Sequence, residues 1–219
     1  MIPLQFALRR RMMMAGGGGA PISELPLGTW INIGTDGGDA TPIYEIADIS
    51  NLVSGGVVLV RKNIYSMSRF GATPRYPNST LDIFIQNTVF ARLPQQLQMK
   101  ALDVTFSLKN SGEITRKMFA LTYSMVGFGA YPDEENIALQ LYTSNSHRIK
   151  RFDGETANWW LSTDASFKEN ITVYAVGWDG KYAVKYLNDT EGVVPAFVIP
   201  SKTPYDSTPN TDGSYNLIL

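Results

Sequence analysis

Residues 158–187, NWWLSTDASFKENITVYAVGWDGKYAVKYL, carry the densest β signal of the chain and set its fold class. Two alternating runs rich in β-branched and aromatic residues, NITVYAV and KYAVKYL, flank Gly177-Trp178-Asp179-Gly180. Asp-Gly between such runs is a strong hairpin signal, because both residue types tolerate the positive φ of a tight turn between twisted strands. The stretch reads as an antiparallel hairpin turning at Asp179-Gly180. Upstream stand Trp159 and Trp160. Successive side chains of a strand point to opposite faces, so one of the pair is expected in the core and its neighbour packed elsewhere or meeting solvent. Trp178 immediately precedes the turn, where an aromatic ring can stand on the surface as a contact anchor.

Working outward, GVVPAFVIP (192–200) reads as a further strand, which Pro195 is expected to push to an edge or a bulge because proline cannot donate to a ladder. Val57 to Val60 reads as a short buried strand, and LDVTFSL (102–108) and KMFALTYSMVG (117–127) as strand-like. The period changes at 76–102, where Leu81, Phe84, Ile85 and Thr88 share one helical face. Ser79 or Thr80 is placed to cap that helix, with Asp82 in its first turn; Pro94 then stops it and opens a second short helix. Residues 131–152 read as a polar excursion with one helical turn after Asp133. No internal repeat is present.

Composition narrows the function. A length of 219 residues supports one main domain with appendages. The net charge is −1, and no basic face extends beyond Arg9, Arg10 and Arg11, so nucleic acid is excluded as an expected partner. The absence of cysteine removes disulfides, thiolate zinc sites and a cysteine nucleophile. The three arginines follow the apolar residues of MIPLQFAL, the reverse of a secretory signal, and no run approaches the roughly 18 apolar residues of a membrane helix. The expectation is a soluble chain without membrane insertion. Residues 1–20 form a separate region, an apolar and basic leader with Met12, Met13 and Met14, then the tether Gly16 to Gly19.

Catalytic patterns are sparse. His147 is the only histidine; it lies in a polar segment, with no nucleophile elbow to complete a triad, and reads as a surface residue. Asp133, Glu134 and Glu135 lack the alternating spacing of a calcium loop and read as a solvated charge run. No catalytic residue, metal ligand or cofactor is expected.

Taken in order, YPNSTLDIFIQNTVF, MFALTYSMVGFG, WWLST, the glycine-turn hairpin and GVVPAFVI resemble a bacterial and phage domain family of unassigned function with WWLRSP and GVRPA signatures. The resemblance spans about residues 27 to 200 and is most specific at Trp159-Trp160-Leu161 and Gly192 to Ala196. The chain departs from it at Ser162-Thr163-Asp164, where the family usually has arginine, serine and proline, and at Val194, where it usually has arginine. The resemblance implies an α+β, C-type-lectin-like fold related to formylglycine-generating enzymes and retroelement variable proteins: small twisted antiparallel sheets, two short helices and long irregular loops. The enzymes of that fold depend on cysteine, so the resemblance implies no catalysis here. RRRMMMAGGGG is similar to the leaders of phage tail-associated and minor structural proteins.

These readings imply a virion-associated protein of tail, baseplate or fibre. Residues 1–20 would anchor it to other virion proteins through Arg9, Arg10, Arg11, Met12, Met13 and Met14; a lectin-like domain, 21–203, would bind a host-surface glycan or protein; 204–219 would be a C-terminal extension. Ser162 to Asn170 are expected as an exposed polar loop. The expected contacts are Ser162, Thr163, Asp164, Ser166, Lys168 and Asn170, with Trp178, Asp179, Lys181 and Tyr182 at the neighbouring turn. Copies on one particle would compensate weak single sites by avidity, which implies a homo-oligomer, a trimer or a larger ring. The alternatives are a structural virion component such as a head decoration or baseplate module without a host ligand, and a glycan-cleaving enzyme with two carboxylates about 5–10 Å apart.

Overall fold

The computed structural model describes residues 19–38, 42–166 and 171–219; strands and α-helices are numbered in chain order. The alternating runs form the expected hairpin, β12 (Thr172–Val176) antiparallel to β13 (Tyr182–Tyr186) with Tyr174 opposite Val184. The hairpin is one end of a five-stranded sheet. From it the order continues through β11 (Trp159–Asp164) and β14 (Thr190–Gly192) to β5 (Met67–Arg69). Strand β14 lies parallel to β11 through Trp159 and Gly192, so the tryptophan pair and the start of the Gly-Val-Val-Pro-Ala segment are side by side. The β12–β13 hairpin occupies the connection that a parallel pairing requires.

Both tryptophans are fully buried, so the neighbour of the core-facing ring packs elsewhere rather than meeting solvent. Strand β11 has neighbours on both edges and covered faces on both sides. The Trp160 ring meets Phe70 edge-on at 5.5 Å and its indole N–H donates to Ser68 C=O; the Trp159 indole N–H donates to Arg148 C=O. Each large apolar ring is removed from water while its single donor keeps a partner.

A six-stranded sheet runs β17 (Tyr215–Asn216), β2 (Trp30–Asn32), β3 (Ile43–Ile49), β4 (Gly56–Arg61), β15 (Pro195–Pro200), β8 (Met118–Ala120). Strand β4 is buried throughout, as its run of β-branched residues predicts. Strand β15 is interior rather than an edge: Pro195 is its first residue, opposite Ala120, a position where a strand tolerates the missing N–H. Residues beyond 203 are part of the frame. Strand β16 (Pro204–Tyr205) pairs with β1 (Ala20–Pro21), and β17 runs parallel to β2. The remaining pairs are β6 (Val104–Leu108) with β7 (Gly112–Arg116) and β9 (Lys150–Phe152) with β10 (Glu155–Ala157).

Ser79 caps α1 (Thr80–Phe84), its hydroxyl accepting from Asp82 N–H, while the Asp82 carboxylate accepts from Asn78 N–H and pairs with Arg116 at 2.7 Å. The helix widens into a π-turn over Ile85–Val89, tightens over Phe90–Arg92, and Pro94 leads into α2 (Gln95–Lys100). Residues 131–152 are mostly exposed or half-buried but anchored at a few buried positions; Asp133 itself makes a tight turn at φ 62°, and the one helical turn comes further along the segment. Leu139, Tyr142, Arg148 and Lys150 are buried, and Leu139 N–H and Leu141 N–H donate to Met125 and Ala47 carbonyls. The helix there is α3 (Asn145–Arg148), the segment carrying exposed His147. The whole is α+β, small and mostly antiparallel sheets with a few short helices.

Candidate functional site

The hairpin tip is set by glycine. Gly180 N–H donates to Gly177 C=O, which makes Trp178 and Asp179, not Asp179 and Gly180, the central residues of the turn. Gly180 has φ 79°, and a Cβ there would stand 2.0 Å from the Asn145 carbonyl oxygen, so both backbone sign and space exclude other residues. Asp179 accepts from Lys181 N–H and lies 3.4 Å from its ammonium; Trp178 N–H donates to Asn158. The Trp178 ring is 64 % exposed.

The hydrogen-bond phase of the hairpin follows from the same turn. Gly177 N–H donates to Lys181 C=O, so that facing pair is hydrogen-bonded. Pairs alternate along an antiparallel ladder, which makes Val176–Tyr182, Tyr174–Val184 and Thr172–Tyr186 the non-bonded pairs. The N–H and C=O groups of Tyr182, Val184 and Tyr186 therefore point away from β12, toward an edge that no strand covers among the described residues. Tyr186 agrees: its N–H donates to the Asp189 carboxylate and its C=O accepts from Asp189 N–H. The side chains of the same three residues are 58, 49 and 63 % exposed, an apolar stripe on the rim of the sheet.

A cluster of rings continues that stripe inward. Tyr123 lies 4.6 Å from Tyr174, 5.2 Å from Phe128, 5.4 Å from Tyr131 and 5.9 Å from Tyr182, all in tilted arrangements that suit the ring quadrupoles. Arg148 lies 4.6 Å from the Phe128 ring centroid, its guanidinium engaged by the carbonyls of Val126, Gly127 and Tyr142. Tyr131 is fixed by Lys109, which donates to its hydroxyl, and by donation from that hydroxyl to Asp164 C=O. Burial raises the phenols of Tyr123 and Tyr131 and pushes Tyr174 up to about 12, so these three hydroxyls are neutral near neutral pH. The Glu134 carboxyl, likewise raised to about 7 by burial, accepts from Ser124 through one oxygen; its other oxygen is buried without a partner among the described residues.

The expected loop contacts separate into two groups. Ser162, Thr163 and Asp164 are not on an exposed loop; they are buried in β11. There β11 bulges away from β12, and these small polar side chains satisfy backbone that would otherwise be orphaned. Ser162 donates through both N–H and hydroxyl to Leu121 C=O, Thr163 accepts from Tyr123 N–H, and Asp164 accepts from Asn110 and Ser166 N–H. Ser166 is half-buried, its hydroxyl bonded to the backbone of Thr172. Lys168, Asn170 and Arg9 to Met14 lie outside the described residues. Trp178, Asp179, Lys181 and Tyr182 gather at the hairpin as expected, and of these Tyr182 joins the ring cluster.

Sequence reading missed Tyr123, Phe128, Tyr131 and Tyr174, as well as Val184 and Tyr186. The last two share the period-two face of Tyr182, and Tyr174 follows once the turn fixes the register. Nothing local marks Tyr123, Phe128 and Tyr131.

The chain matches no curated protein and no solved structure. A family model described as "Domain of unknown function (DUF6273)" matches residues 54–201, about two-thirds of the chain, including the tryptophan pair, the hairpin and every ring of the cluster. The chain belongs to that family of unassigned function.

Proposed function

We propose that this is a phage virion protein of tail, baseplate or fibre, anchored through residues 1–20, whose C-type-lectin-like domain binds a host-surface glycan or protein. The observation that carries the reading is the exposed aromatic surface of the hairpin, Tyr182 and Tyr186 on the rim, continuous with four further rings held in place from below. Exposed apolar patches rimmed by polar groups mark binding surfaces, and neutral phenols offer flat contact area with hydroxyls that donate and accept. Binding rather than turnover is the role assigned to it, without a cofactor. Multiple copies on one particle would supply avidity.

The test is adsorption of the purified chain to candidate host cells, together with antibody labelling of intact particles. Tyr182→Ala combined with Trp178→Ala is expected to lower adsorption at least tenfold with an unchanged thermal midpoint, since both rings are mostly in solvent. Unchanged adsorption removes this face; unlabelled particles remove the virion assignment. One observation favours a purely structural virion component: the outward backbone groups of Tyr182 and Val184 could accept a strand from another virion protein. Protection of that edge from hydrogen exchange in assembled particles, with no adsorption by the free chain, would select that reading.

A further inference from the structure

Beside the ring cluster lies a half-open recess of about 270 Å³ lined by Ser124, Gly127, Gly129, Ala130, Asn136 and Ala138. Its walls are the chain neighbours of the cluster: Phe128 sits between the two glycines, and Tyr131 follows Ala130. The volume falls just below the roughly 300 Å³ at which pockets for whole small ligands begin. It therefore suits one substituent of a molecule whose body rests on the rings.

The lining specifies the substituent. No charged side chain contributes to it: Arg148 is engaged by carbonyls and by Asn145, and the Glu134 carboxyl is enclosed behind Ser124. Asn136 accepts from Tyr131 N–H through Oδ1, which fixes its carboxamide. Its NH₂ group is left as a donor with no acceptor among the described residues. Gly127 at φ 74° and Gly129 at φ 113° keep one wall bare of side chains, and Ala130 and Ala138 present methyl groups. A neutral group with one acceptor and a small apolar end matches a single amide donor between methyls.

On the reading that the ring face is a binding surface, we infer that its ligand class is a glycan containing N-acetylated amino sugars. The pyranose C–H face lies on Tyr182 and Phe128, and the acetamido group enters the recess with its carbonyl toward Asn136 and its methyl against Ala130 and Ala138.

Titration of the full chain with N-acetylchitotetraose and with cellotetraose, which share a β-1,4 pyranose backbone and differ in the acetamido group, tests this. The acetylated sugar is expected to bind at least tenfold tighter. Ala138→Leu, an exposed position that narrows the recess, is expected to erase the difference by weakening the acetylated sugar, with an unchanged thermal midpoint. Tyr182→Ala is expected to weaken both sugars. Equal binding of the two tetrasaccharides, or retention of the difference in Ala138→Leu, overturns the recess assignment and leaves the ring face standing. Binding of neither sugar overturns the assignment of ligand class, and the adsorption experiment then decides the face by itself.

Discussion

Glu134 is a buried carboxylic acid, with one oxygen on Ser124 and the other without a donor among the described residues. Burial moves it from about 4.5 to about 7, so between those values the folded chain holds a proton that the unfolded chain releases. Stability from this group is complete below about pH 4.5, falls as pH rises through that window, and is lost above about 7. The fall amounts to about 3 kcal/mol at most, given about 1.4 kcal/mol per pH unit. Glu134→Gln keeps the shape and removes the proton. Urea unfolding at pH 5 and pH 8 is expected to show a large loss in the parent chain and a nearly flat response in the variant; equal losses in both would place the titration elsewhere. The same residue shows why the acidic run misleads in sequence. Asp133 and Glu135 are exposed as a solvated run would be, whereas Glu134 is buried, and the turn that buries it is made with residues as distant as Ser124 and Thr163.

At the scale of the element, the hairpin was legible almost completely. Alternation, β-branched and aromatic residues, and a Gly-containing turn are local causes, and they act in the same direction. The shift of the turn by one residue reflects Gly180, which serves the positive φ at the end of the turn rather than inside it. The ladder phase gives a sharp prediction. Ala183 belongs to a hydrogen-bonded pair with Ala175, whereas the N–H of Val184 faces the open edge. Ala183→Pro is expected to cost about 2 kcal/mol more than Val184→Pro, the worth of a ladder bond and a stranded carbonyl. Chemical denaturation of the two variants measures it, and equal costs would contradict the assigned phase. The other strands show the limit of local reading: Pro195 reads as an edge residue until β4 and β8 are known to flank its strand.

For the whole molecule, the matched region and the folding unit have different bounds. Residues 54–201 contain β4 and β15 but not β2, β3 or β17, which pair around Tyr44, Ile46 and Ile31 in the buried face of the six-stranded sheet. Removing them opens the edge of β4, a strand buried at all of its positions. A fragment of residues 54–201 is expected to aggregate or unfold without cooperativity, while residues 19–219 melt in a single transition in scanning calorimetry. A cooperative transition in the shorter fragment would show that β2, β3 and β17 are dispensable.

By itself the sequence determined the elements whose causes lie within a few residues of one another: the hairpin, a hydroxyl cap at Ser79 or Thr80, the break at Pro94 and the buried β4 run. Only the tertiary structure decided what covers each face, because burial depends on neighbours that a local pattern does not contain. That is why both tryptophans are enclosed, why Ser162 to Asp164 serve a bulge instead of a loop, and why Tyr123, Phe128 and Tyr131 meet Tyr174 and Tyr182 to make a surface from segments about fifty residues apart.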